Sequence, residues 1–143
     1  MTRAQVADSE LAQIVGNLSD PSTHAHAVAE LARLTERKDD EPIRLRVSRA
    51  GAVRPIVATL LHKDALAEAS GTSTENGVLT LMHLSRSKAL REGIATEGAL
   101  GALCGVVKTL RAEAADVALA ALINLSYAAP VREQLSNCLL YTS

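Results

Sequence analysis

The chain has 143 residues, enough for one domain with a substantial core, and 48% of them are apolar, which excludes a disordered composition. Fifteen Lys and Arg stand against 16 Asp and Glu, for a net charge of −1, and neither half of the chain is basic, so nucleic acid is not an expected partner. Phe and Trp are absent and Tyr occurs only as Tyr127 and Tyr141, which removes aromatic stacking platforms and leaves a core of Leu, Val, Ile and Ala.

In chain order, Leu11, Ile14, Val15 and Leu18 fall at i, i+3, i+4 and i+7, the stripe of an amphipathic helix. Asp20-Pro21 predicts the end of that helix and the start of the next, with Asp20 as N-cap and Pro21 in the first helical position. That second helix carries Ala25, Val28, Ala29, Leu31, Ala32 and Leu34 and ends in the charged cluster from Glu36 to Glu41. The run Asp39-Asp40-Glu41 reads as a solvated loop that caps a short helix at Pro42. This short helix, Ile43 to Arg49, turns Arg44, Arg46 and Arg49 toward water, and Gly51 terminates it.

A helix to about His62 follows, then an irregular insert from Lys63 to Gly71. Thr72 and Glu75 have capping-box spacing ahead of a helix reaching Ser85, in which Gly77 costs about 1 kcal/mol against Ala. Ser87 is the expected cap of a short helix, Lys88 to Thr96, closed by Gly98. Gly101 and Gly105 lie four apart on one face of the next helix and read as a groove for a close neighbour. After a break at Arg111-Ala112-Glu113, a helix to Ser126 is apolar almost all round, as an innermost helix would be. Pro130 opens a further short helix, Val131 to Ser136.

These elements recur. Gly51-Ala52-Val53 and Gly98-Ala99-Leu100 open two similar stretches 47 residues apart, and their closing Leu84-Ser85 and Leu125-Ser126 are 41 apart. A weaker copy closes on Leu34-Thr35, 50 residues before Leu84-Ser85. Self-similarity at roughly 40–47 residues, with two or three helices per unit, marks an α-solenoid whose neighbours must stack to bury their apolar faces. The units span roughly 7–50, 51–97 and 98–137. Residues 138–143 fit none of the pattern and read as a non-repeat tail left by truncation, which makes the chain a fragment of a longer array and leaves the helix ending at Ser126 with an apolar flank open to self-association.

Gly51-Ala52-Val53-Arg54-Pro55-Ile56-Val57-Ala58-Thr59-Leu60-Leu61, Gly98-Ala99-Leu100 and Asn124-Leu125-Ser126 resemble the turn, second helix and third-helix ending of an armadillo repeat. The resemblance implies an all-α right-handed superhelix, an armadillo-like solenoid of about three repeats. It also implies a protein–protein interaction scaffold that binds an extended peptide in a concave groove of third helices. Asn124 matches the family's groove Asn, whose side chain both donates and accepts toward a peptide backbone. His83 and Arg33 take its place in the other units, and Ala29, Leu79 and Ala120 stand where Trp binds basic import signals, so that ligand class is not expected. His26, Asn76 and Thr80 complete the implied groove. His83 and Arg33 read equally well as solvated polar residues. A second reading is a fragment of the substrate-binding half of a U-box type E3 ubiquitin ligase, whose arrays are similar, and a third is a structural spacer.

No catalytic or metal site is expected. His24 and His26 are two apart on a helix, and His62 and His83 lack partners at ligand spacing. No cofactor is implied. Cys104 lies in an apolar run and reads as a buried free thiol. No apolar run reaches membrane-spanning length, and the residues after Met1 lack a signal core, which gives an intracellular expectation, cytoplasmic or nuclear.

Overall fold

A computed structural model describes residues 6–61, 71–109 and 112–141, and these form nine α-helices and one 3₁₀ turn, with no strand among them. The helices are α1 (Asp8–Asn17), α2 (His24–Thr35), α3 (Glu41–Arg49), α4 (Val53–Leu61) and α5 (Gly71–Ser85). After the turn Lys88–Leu90 come α6 (Arg91–Thr96), α7 (Ala99–Thr109), α8 (Ala112–Ser126) and α9 (Ala129–Tyr141). The expected insert from Lys63 and the break at Arg111 lie at or next to residues outside the described ones.

The apolar stripes face one another as their spacing requires. One cluster of buried aliphatic side chains runs from Val6 to Val131 and is anchored by Leu11, Leu31, Leu34, Ile56, Leu81, Leu84, Ile94, Leu103 and Leu125. Helix α5 packs against α2 on one side and α8 on the other, while α4 packs against α7 and α5. Thus α2, α5 and α8 form one row, with α4 and α7 behind it. Leu122 faces the packed interior, whereas Leu119 and Ile123 of the same helix are exposed, which is the open flank that the sequence leads one to expect.

Glycine works at two kinds of place. Gly51 and Gly98 follow α3 and α6 with φ of +90° and +94°, the left-handed conformation that ends a helix without a Cβ clash. Gly77 sits inside α5, where a Cβ would lie 3.4 Å from Ile56 Cγ2 and 3.9 Å from both Leu60 and Val28, in ordinary contact with side chains of α4 and α2 and with no room for a larger group. Gly101 and Gly105 do not form the expected groove. A Cβ at either would have nothing within 4 Å among the described residues.

Several local expectations are corrected. Helix α2 starts at His24, not Pro21: Asp20 instead accepts from Ser22 N–H at 2.9 Å and Ser22 Oγ at 2.8 Å, closing a turn and holding its carboxyl below the usual range. Thr72 lies within α5, which already includes Gly71, so it is not a flanking cap. Ser87 gives no side-chain cap to the turn it precedes; its hydroxyl receives Arg44. Cys104 is fully buried but disulfide-bonded, not a free thiol. Helix α9 continues beyond Ser136 to Tyr141. Asp40 does cap α3, accepting from Ile43 N–H at 3.4 Å.

Candidate functional site

The carboxyl ends of α2, α5 and α8 are joined by side chains at corresponding positions. Thr35, fully buried at the end of α2, donates its hydroxyl proton to the Leu31 carbonyl at 2.8 Å and lies 3.0 Å from His83 Nδ1. With that proton spent, Thr35 Oγ1 is the acceptor and His83 Nδ1–H the donor. Fifty residues on, Ser85 repeats the arrangement: it donates to the Met82 carbonyl at 2.6 Å and accepts from Asn124 Nδ2 at 3.0 Å. Ser126, 41 residues further, again donates backward, to Ile123 at 2.6 Å, and no described side chain donates to it. The hydroxyls of Thr35 and Ser85, each turned back on its own helix, thereby receive a side chain from the next helix in the row.

Arg91 and Arg132 close the ends of α5 and α8, and Arg44 binds the loop that follows α2. The last carbonyls of a helix lack internal partners and carry the negative end of its dipole, so a guanidinium is favoured there. Arg44 donates to the carbonyls of Arg37 at 2.9 Å and Lys38 at 3.2 Å and to Ser87 Oγ at 2.6 Å. It is only 5% exposed, against the expectation that it faces water; Arg46 is partly buried and bonds Asp8 and the Val6 carbonyl, and Arg49 alone is exposed. Arg91 donates to Ser85 and Arg86 carbonyls at 2.9 and 3.3 Å, and its guanidinium lies 5.4 Å from the centre of the Tyr127 ring. Arg132 reaches the Ser126 carbonyl at 3.4 Å. Arg44, Arg91 and Arg132 are separated by 47 and 41 residues, a period matching the rest of the pattern.

The six residues singled out from sequence fall into three environments. His26 and Arg33 sit on the exposed face of α2, where Arg33 pairs with Glu30 at 2.8 Å. Asn76 and Asn124 are half-buried. Thr80 and His83 are buried, Thr80 donating to the Asn76 carbonyl at 2.8 Å. The structure joins Asn124 to Ser85 and His83 to Thr35; it does not give Thr80 a solvent-facing hydroxyl. Burial, reinforced by the Arg86 charge, pushes His83 down to about 4, so its imidazole is neutral near pH 7. The receiving hydroxyls of Thr35, Ser85 and Ser126 were missed as polar partners, although the closing Leu-Ser and Leu-Thr pairs marked their positions.

Beside this row, an open concavity of about 660 Å³ is lined by Lys88, Arg91, Glu92, Tyr127 and Pro130. No group of three or more His, Cys, Asp or Glu among the described residues could hold a metal ion. No described helix is long and apolar enough to cross a membrane. In comparisons with known proteins, no family model, no curated protein and no solved structure matches this chain.

Proposed function

We propose that the chain is an armadillo-like solenoid of about three repeats and a non-catalytic protein-interaction module. In this reading an extended peptide runs across α2, α5 and α8. The observation that carries it is the row of these three helices, with Arg33, His83 and Asn124 at corresponding positions along it. Asn124 spends one amide hydrogen on Ser85, which leaves its carbonyl oxygen and second hydrogen for a peptide unit. Asn76 and the exposed Arg33 supply further polar contacts, while buried His83 and Thr80 support the row from within.

The test is selection of extended peptides from a displayed random library on the full chain, followed by titration of the Arg33→Ala/Asn76→Ala double variant. Both side chains reach solvent, so the melting temperature stays unchanged while affinity for the selected peptides falls about tenfold or more, the equivalent of roughly 1.4 kcal/mol. Peptides that bind the double variant as tightly as the parent would overturn the groove reading.

A further inference from the structure

Opposite charges on the surface of this molecule meet in pairs, Arg33 with Glu30 at 2.8 Å, Arg37 with Asp39 at 3.0 Å and Arg46 with Asp8 at 3.0 Å. The concavity of about 660 Å³ is different. It is lined by Glu41 at the start of α3, Lys88 in the 3₁₀ turn, and Arg91 and Glu92 at the start of α6, two charges of each sign. None of the four is in an ion pair among the described residues. The apolar part of the lining includes Pro130 and Tyr127, which is 66% exposed.

Arg91 is fixed in place. Its Nε and Nη2 donate to the Ser85 and Arg86 carbonyls at 2.9 and 3.3 Å, and the guanidinium lies 5.4 Å from the centre of the Tyr127 ring. Nη1 has no hydrogen-bond partner among the described residues, so it is a preorganised donor. Lys88, Glu41 and Glu92 are exposed, and direct pairing between long exposed side chains gains little in water. A ligand that displaces water from the concavity strengthens its pairs with both signs of charge at once. An anion alone would meet two carboxylates there, and a cation alone would meet Lys88 and Arg91, so the lining complements a ligand that carries both signs.

The geometry points to a second binding site in this concavity, for a peptide segment of a partner protein in which an acidic and a basic residue stand close together. The ligand carboxylate takes Lys88 and Arg91 Nη1, its guanidinium or ammonium takes Glu92 or Glu41, and the stems of both side chains lie on Tyr127 and Pro130. An aromatic face suits that second role, because a guanidinium can stack on it while its charge is met at the edge. The concavity is larger than one amino acid and open to solvent, so a chain can enter and leave it. The site goes beyond the groove across α2, α5 and α8, with which it shares none of these six residues.

The probes are short peptides with blocked ends that carry one Glu and one Arg among alanines, at adjacent, alternate and third positions and in both orders. They are titrated into the full chain, labelled only at the ring carbons of its two tyrosines, and the Tyr127 signals are identified with Tyr127→Leu. At least one peptide is expected to shift those signals saturably. Its derivatives with Gln in place of Glu or of Arg bind about fivefold or more weakly, and so does the original peptide to the Lys88→Ala/Glu92→Ala chain. Both side chains are exposed, so that chain keeps the parent melting temperature and the loss reports the site. No saturable shift from any member of the set overturns the inference. So does a single-charge derivative that binds as tightly as its parent, or a double variant that binds as tightly as the original chain. Free L-arginine that competes as strongly as the best peptide overturns it in favour of a free amino acid, and loss of binding to the Arg33→Ala/Asn76→Ala chain overturns it in favour of the groove.

Discussion

At His83, folding buries a neutral imidazole against the Thr35 hydroxyl and beside the Arg86 charge, so protonation opposes the folded state. The unfolded residue titrates near 6.5 and the folded one near 4, so the unfolded chain binds more protons between those values. The contribution is complete above pH 6.5 and is lost as pH falls toward 4, amounting to roughly 3 kcal/mol over the whole interval. Urea denaturation of the parent and of His83→Gln across this window measures it: the parent loses stability with acid, and the variant follows a flatter curve. Arg44 makes a second case. Its fork satisfies two carbonyls and a hydroxyl and buries the charge with no carboxylate partner among the described residues. Arg44→Met leaves those groups without their donors and is expected to cost about 2–4 kcal/mol in the same denaturation assay, and Arg44→Lys restores only part, because an ammonium lacks the planar fork. Neither environment was legible locally. Ser87 is 43 residues from Arg44 and His83 is 48 from Thr35, so a residue that reads as a solvated helix charge is instead a tertiary joint.

Among the elements, helix existence followed from apolar spacing, and the ends followed wherever backbone chemistry decides them. Gly51 and Gly98 have the positive φ that a helix end asks of glycine, and Asp40 caps α3. The start of α2 did not follow: Asp20 can bond its own local turn through Ser22, and that competing arrangement wins over a cap. The groove expected at Gly101 and Gly105 did not follow for a related reason, since helical spacing names a face but not its neighbour. The pair on α7 faces open space, whereas Gly77 on α5 meets α2 and α4. Opposite responses to a side chain are therefore expected. Gly105→Ala stabilises by about 0.5–1 kcal/mol, because Ala is the better helix former and meets nothing. Gly77→Leu destabilises by about 1–3 kcal/mol, by driving atoms into Ile56, Leu60 and Val28. Thermal melts of the two variants distinguish these outcomes directly.

Across the whole molecule, helices with neighbours on both sides are held differently from those at the ends. Helix α5 touches α2, α3, α4 and α8, while α1 packs chiefly on α2, and α8 exposes Leu119 and Ile123 on its outer side. The all-helical character was readable from the chain's apolar spacing and glycine turns, whereas the individual contacts between helices were not. When stability is distributed as units plus nearest-neighbour interfaces, damage at one end spreads only as far as those interfaces couple. Leu122, 3% exposed, tests that coupling. Leu122→Asp places a charge in the interior between α8 and its neighbours, a change expected to cost about 4 kcal/mol or more where it acts. Amide hydrogen exchange of this variant is expected to show the largest loss of protection in α7, α8 and α9, a smaller loss in α5, and near-parent protection in α2 and α3. Uniform loss in all nine described helices would mean that the row unfolds as one cooperative body. The neighbouring change Ile123→Asp, on the exposed side of the same helix, is expected to leave the entire exchange pattern unaltered, so adjacent positions separate the face that holds the fold from the face that meets solvent.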